Sequence, residues 1–278
     1  MKFKQLRQHD KDLIIATYRE KDSREIAQQE LATFFNVDPR TIRNWANKLN
    51  LGVLDRKVDY KSQKDNILVI GDLHEPFSLK GYLEFCKQQY IKYKCNKVIF
   101  IGDIIDNHYS SYHETDADGL GGGEELDLAI KRISKWYEAF PEATVIIGNH
   151  DRMIMRKAQT SAIPKAWIKN YKDVLDTPNW DFVDRLVIGD VQYIHGEAGE
   201  ARSKCTADLM STVQGHLHTK AYTEWFVGAN FKVFGSQVGC GIDHDSYAMG
   251  YAKRGKKPAI GCMVIVNEEV PINIMMDL

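Results

Sequence analysis

Ile67-Leu68-Val69-Ile70-Gly71-Asp72-Leu73-His74 is an unbroken apolar run, then a glycine, then a carboxylate and an imidazole two residues apart. A short continuous apolar run predicts a strand buried on both faces. Glycine at its end lets the chain turn sharply and keeps side chains from blocking what lies there. The same pattern recurs downstream. Val98–Ile101 leads into Gly102-Asp103-Ile104-Ile105-Asp106, and Val145–Ile147 into Gly148-Asn149-His150-Asp151. Val191–Ile194 leads into His195-Gly196, and Gly215-His216-Leu217-His218 lies just after Val213.

Further apolar runs at Val187–Ile188, Phe231–Phe234 and Met263–Val266 read as strands, while Lys80–Tyr93 and Glu124–Phe140 read as helices. Short buried strands separated by helices predict an α/β domain. In such sheets the carboxyl ends of the strands gather at one edge, where ligands bind. Five loops therefore bring Asp72, His74, Asp103, Asn149, His195, His216 and His218 toward one place. Carboxylate, imidazole and amide oxygen donors together suit first-row ions such as Mn, Fe, Zn, Ni or Co. Seven such groups exceed what one tetrahedral ion takes, whereas two ions sharing a bridging carboxylate would use them. Two ions about 3.5–4 Å apart clamp a phosphoryl group and activate water at neutral pH.

The series GDLH, GDIID, GNHD, H and GHLH resembles the calcineurin-like metallophosphoesterase superfamily, and its blocks span nearly all of residues 67–266. The resemblance implies a four-layer αββα sandwich, two mixed sheets face to face with helices outside, carrying two divalent metal ions, Mn foremost. It implies that Asp72, His74, Asp103 and His218 hold one ion, that Asp103 bridges, and that Asn149, His195 and His216 complete the second. His150 matches the family's general acid or transition-state stabiliser. Asp151 is expected to orient that imidazole, the kind of contact that fixes a histidine's tautomer, and Asp106 to support the centre from behind. In the loop that follows, His108 and His113, with Tyr109 and Tyr112, are candidates to line the substrate cleft. So are Tyr247 and Lys253 in the basic and aromatic stretch 247–257. The acidic cluster before Glu124 is expected to cap the helix beginning there.

Upstream the pattern changes. Leu13, Ile14, Thr17 and Tyr18, then Ile26, Leu31, Phe34 and Phe35, then Ile42, Trp45 and Leu49 recur at spacings of three and four, as amphipathic helices require. A helix is expected from about Arg24 to Phe35. Asn36 suits a tight turn at positive φ; Asp38 suits an N-cap and Pro39 the first helical position. This resembles the helix-turn-helix of DNA-binding proteins, with Arg40, Thr41, Arg43, Asn44 and Lys48 on the recognition helix. The alternative is a helical module that docks on a protein. The chain thus reads as an all-α module at 1–55, a polar linker at 56–66 and a catalytic domain at 67–278. This combination resembles proteins common in bacteriophage and mobile-element genomes.

Composition sets wider bounds. The formal net charge is −1 over 278 residues, which argues for neither nucleic acid nor membrane. Residues 1–60 hold 12 Lys and Arg against 9 Asp and Glu, a small basic excess. Five widely spaced cysteines without a CxxC pair argue against a disulfide framework or a zinc knuckle. Met1 to Asp12 contains no apolar run, so no signal peptide is expected, and no apolar run approaches bilayer length. The expected setting is the cytoplasm, or a host's cytoplasm if the gene is viral. The expected function is a metal-dependent phosphodiesterase, a DNA nuclease targeted by the helix-turn-helix. The alternative is a phosphomonoesterase, acting on protein or nucleotide, whose helical module regulates or docks. A DNA-binding regulator with a dead metal fold is disfavoured by the complete ligand set.

Overall fold

Strand alternation explains the layers. In β1 (Ile67–Ile70) every residue is buried, as a strand covered on both faces must be. Leu68 and Ile70 pack with Tyr82, Cys86, Ile133 and Trp136 of two helices, α4 (Tyr82–Lys92) and α5 (Gly122–Ala139). Ile67 and Val69 point the other way and join Val191, Tyr193, Val213 and Phe234 of a second sheet. Each fully buried aliphatic side chain contributes roughly 1.5–3 kcal/mol, so the two clusters fix both faces of the strand. The computed structural model describes residues 3–20, 24–49, 51, 64–111, 116–246 and 257–277. The chain divides into two compact units, Met1–Gln63 and Lys64–Leu278.

In the larger unit, the first sheet runs β11-β10-β1-β2-β3-β4. β2 (Lys97–Phe100), β3 (Ala143–Ile146) and β4 (Trp180–Val183) follow β1 in parallel, and β10 (Gly261–Val266) and β11 (Val270–Met275) add antiparallel strands. The second sheet runs β5-β6-β7-β9-β8, from β5 (Arg185–Ile188), β6 (Val191–Ile194), β7 (Ser211–Gln214), β8 (Tyr222–Val227) and β9 (Lys232–Gln237). α8 (Ala201–Asp208) covers its outer face, and Gly235 of β9 lies directly under the Arg202 main chain. Helix, sheet, sheet, helix is the expected αββα order. Three strands were not expected from the sequence: β4, β8 and β11. All three lie at sheet edges and have half-exposed burial patterns, so no continuous apolar run marks them.

The smaller unit has one core, with Leu6, Ile14, Tyr18, Leu31, Ile42 and Trp45 at its centre. α1 (Gln8–Glu20), α2 (Arg24–Phe35) and α3 (Pro39–Lys48) surround it. Asn36 takes φ +49° after α2, and the Asp38 carboxylate accepts from Arg40 N at 2.8 Å, capping α3. All five cysteines are buried and unpaired. Among the described residues, no helix is long and apolar enough to cross a membrane.

Candidate metal centre

The ends of β1, β2, β3, β6 and β7 deliver the predicted side chains to one point. Asp72, His74, Asp103 and His218 form one cluster, and Asp103, His195 and His216 form another; in each, the ligating atoms lie within 4.8 Å of one another. Asp103 belongs to both. Its Oδ2 lies 3.6 Å from His74 Nε2 and 3.1 Å from His195 Nε2. Asn149 Oδ1 joins at 2.9 Å from His195 Nε2. His218 Nε2 lies 3.2 Å from Asp72 Oδ2 and 3.1 Å from His74 Nε2.

Close packing makes this convergence possible. A side chain at Gly148 would collide with the Asp103 carboxylate, and one at Gly102, where φ is +108°, with the His195 ring. Three ligands, His74, Asp103 and His216, themselves adopt positive φ. Non-glycine residues in that region cost about 1–3 kcal/mol each and persist only where the surroundings hold them. Here the surroundings are main-chain bonds such as His74 N and Leu73 N to Asp103 O, at 2.8 and 3.1 Å.

The tautomers show what the site is built to hold. His195 Nδ1 meets the Ile101 carbonyl at 3.0 Å, and His74 Nδ1 meets Asp106 Oδ1 at 2.5 Å. A carbonyl or an ionised carboxylate only accepts, so both Nδ1 atoms carry the proton. With the rings neutral, the Nε2 atoms present lone pairs to the Asp103 carboxylate and, from His195, to the Asn149 amide oxygen. Burial disfavours the His195 cation, but the charge and hydrogen bond of Asp103 raise its pKa to about 9, so a proton stands in where no metal ion is bound. Asp72 Oδ1, fully buried, has no hydrogen-bond partner among the described residues. Facing acceptors and an orphaned carboxylate oxygen in a buried site are costly without a cation between them. The residues therefore fit divalent metal ions. Asp72, His74, Asp103 and His195 are buried, while Asn149, His150, His216 and His218 are partly exposed, so the centre opens on that side.

A model of the calcineurin-like phosphoesterase family matches residues 66–228. The chain belongs to this family. Its members normally hold two divalent metals, and this calcineurin-like phosphoesterase has the clusters to do so. It is similar to solved structures at low identity. Vacuolar protein sorting 29 from Cryptosporidium parvum is 16% identical, with 73% of this chain and 86% of that chain covered and a TM-score of 0.37. Vps29 from Entamoeba histolytica is 13% identical, covering 76% and 99%, with a TM-score of 0.35. The phosphoesterase Yfce from E. coli is 10% identical, covering 76% and 100%, with a TM-score of 0.37. No curated protein is significantly similar to the chain.

Around the clusters, two expectations need correction. Asp151, expected to orient His150, does not touch its ring. Its carboxylate instead accepts from the main-chain N–H groups of Asp103 and Gly148, at 2.9 and 2.8 Å, and of Ile104 and Ile105, at 3.1 and 3.3 Å. It pins the second and third blocks together. Burial and the charge of Asp103 push its carboxyl up to about 6, against those donors. The residue that holds His150 is Asp106: His150 Nδ1 lies 2.7 Å from its carbonyl and 3.3 Å from Oδ1. Burial disfavours the His150 cation, but the bond to Asp106 and the charges of Asp103 and Asp106 outweigh it and raise its pKa to about 10. Burial would raise the Asp106 carboxyl, yet the hydrogen bonds from His150 and His74 hold it far below the usual carboxylate range.

His108, expected in the cleft, is instead buried. Its N–H donates to Glu125 Oε1 at 2.8 Å, and its Nε2 accepts from Asp116 N at 3.2 Å. His113, Tyr247 and Lys253 lie outside the described residues. Two contributors escaped the sequence reading. Asn107 Nδ2 donates to the His150 carbonyl at 2.9 Å. Glu125, buried at the start of α5, is raised to about 7, chiefly by burial. Asn107 directly follows a recognised block, which is a usable signal; one glutamate in a helix's first turn is none. In the smaller unit Arg40, Arg43, Asn44 and Lys48 lie exposed on α3 and Thr41 is half-buried, opposite buried Ile42, Trp45 and Ala46.

Proposed function

We propose that the chain is a metal-dependent phosphodiesterase acting on DNA, a nuclease whose N-terminal unit is a helix-turn-helix. The observation that carries the choice of substrate is the exposed face of α3. Arg40, Arg43, Asn44 and Lys48 are exposed there, three cations and an amide on one helix face, a pattern suited to phosphates and base edges. The turn at Asn36 and the capped start of α3 support the helix-turn-helix reading.

In the larger unit Asp72, His74, Asp103 and His218 would hold one ion, and Asp103, Asn149, His195 and His216 the other, with manganese our first choice. Bound there, divalent ions supply Lewis acidity and positive charge to a phosphoryl group. His150 serves as the proton donor. Its Nδ1–H is committed to the Asp106 carbonyl, which leaves Nε2 to hand a proton to the departing oxygen when the ring is charged. Asn107 fixes the main chain of the same residue. Asp106 positions both His150 and His74 and touches no substrate. The five unpaired cysteines support a reducing compartment, the cytoplasm or a host's cytoplasm.

The test is hydrolysis of bis-p-nitrophenyl phosphate, p-nitrophenyl phosphate and single- and double-stranded DNA, with and without Mn²⁺, beside His150→Ala. Metal-dependent cleavage of the diester and of DNA, lost in the variant, is the expected result. Monoester hydrolysis with DNA left intact would make the enzyme a phosphatase and its helical unit a regulatory or docking element.

A further inference from the structure

Behind the loop that carries Asn149 and His150 lies a second concavity, a cleft of about 550 Å³. Ile147 and Arg152, which bracket that loop, belong to its wall. Its rim is a segment unremarked in the sequence reading: a 3-10 turn at Lys165–Trp167 followed by α7 (Tyr171–Val174). Lys165, Lys169, Tyr171 and Lys172 all line the cleft.

The wall carries four cations, Arg152, Lys165, Lys169 and Lys172, against two carboxylates, Asp181 and Asp184. Arg152 is already engaged, by Asp184 at 3.0 Å and by Glu197. It fastens the His150 loop to the loop after His195 and has little charge left to offer. Lys165, Lys169 and Lys172 are exposed and make no ion pair among the described residues. Aromatic rings stand between them. Trp167, between Lys165 and Lys169 in sequence and beside the cleft's wall rather than in it, is 83% exposed, an unusual position for an indole, and has no ring partner among the described residues. Tyr171 is stacked on Phe182, with centroids 5.3 Å apart and planes at 21°, which holds the ring still. Lys165, Trp167, Lys169, Tyr171 and Lys172 thus alternate cation and ring along one short segment.

We infer that this cleft binds single-stranded nucleic acid on its way to or from the metal centre, with the lysines on successive phosphates and Trp167 and Tyr171 against bases. A nucleic-acid strand carries one charge and one flat face per unit, and groups that bind it without regard to sequence are cations alternating with rings. A peptide has no such repeat. The inference rests on the reading of the centre as a nucleic-acid phosphodiesterase, and it adds a strand-binding surface separate from α3.

The test uses full-length protein and a labelled oligothymidylate, in chelator so that nothing is cleaved. Replacing Lys165, Lys169 and Lys172 together by Gln should weaken binding and lower the slope of log affinity against log salt by about 2, since each phosphate contact on a single strand contributes about 0.7. Trp167→Ala should weaken binding about 5- to 150-fold, the range for one stacked base. With 5-iodouracil in the oligonucleotide, photo-crosslinks should map to residues 165–172. Hydrolysis of bis-p-nitrophenyl phosphate, too small to span the cleft, should be unchanged in both variants. Native-like oligonucleotide binding by the triple variant, or crosslinks confined to residues 24–48, would overturn the inference. If the native protein bound the oligonucleotide through these lysines but hydrolysed no diester, the nuclease reading would fall and the cleft would stand.

Discussion

The two units bury different things. In the larger one, Asp72, His74, Asp103, Asp106, Asp151 and His195 are all almost completely withdrawn from water. In the smaller one, the buried polar residues among those described are Asp10 and Thr17, each with a local hydrogen bond to explain it. The polar side chains there that point to DNA binding stand in solvent, apart from half-buried Thr41. Burying ionisable groups is expensive unless something compensates, so the interior of the larger unit is itself an argument for cations. An exposed arginine costs nothing to keep, and its presence argues much less. The catalytic assignment therefore rests on energetics, whereas the DNA-binding assignment rests on pattern.

That contrast can be tested by substitutions ordered by expected effect. Asp103→Ala removes the carboxylate common to both clusters. Diester hydrolysis should fall to the level of buffer, and the metal content measured by mass spectrometry should drop; retained metal with retained activity would show that the shared carboxylate is dispensable. His150→Ala should lower kcat by about 10²- to 10⁴-fold, the usual contribution of a positioned proton donor, while leaving metal content alone. Asp106→Asn should cost about 10- to 100-fold, as expected for a partner that fixes ligand orientation. A histidine NMR spectrum should then show an altered tautomer at His74, whose Nδ1 faces the replaced carboxylate, and a lowered pKa at His150, whose Nδ1 keeps the main-chain carbonyl but loses the neighbouring charge, a pattern that a merely structural loss would not produce selectively. The smallest effect is expected in the other unit. Arg40→Ala with Arg43→Ala should leave diester hydrolysis as it was and shift stability by no more than about 0.5 kcal/mol per site. Duplex binding should weaken, with the salt slope reduced by about 2. If it does not, α3 is not the recognition helix.

Much of the larger unit was legible because its central strands are nearly pure apolar runs that end in glycine. β1 and β6 could be read to the residue. β7 was harder, since Ser211, Thr212 and Gln214 are polar yet buried. Their hydrogen bonds, such as Gln192 to Thr212 at 2.9 Å and Gln214 to the Gly199 carbonyl at 3.1 Å, come from parts of the chain that no local pattern reveals. Asp151 was misjudged for a related reason. Adjacency in sequence to His150 suggested contact, but the turn sends the two side chains apart, and the carboxylate serves four main-chain donors instead. The cation-and-ring alternation at 165–172 was visible in the sequence. Its three lysines are spread over eight residues, so it stands out less than the denser basic run Lys253–Lys257.

His74 and His218 face each other at 3.1 Å across 144 residues of chain. They hang from strands of different sheets, so their meeting requires both sheets to have formed and docked. Closing so long a loop is entropically unfavourable until other contacts reward it. Among the described residues no hairpin or single helix contains both clusters of the centre. The larger unit must therefore reach nearly its whole tertiary structure before the pocket exists, and a half-folded copy lacks the ligand set. Late assembly thus ties metal binding, and the phosphoesterase chemistry that depends on it, to completion of the fold.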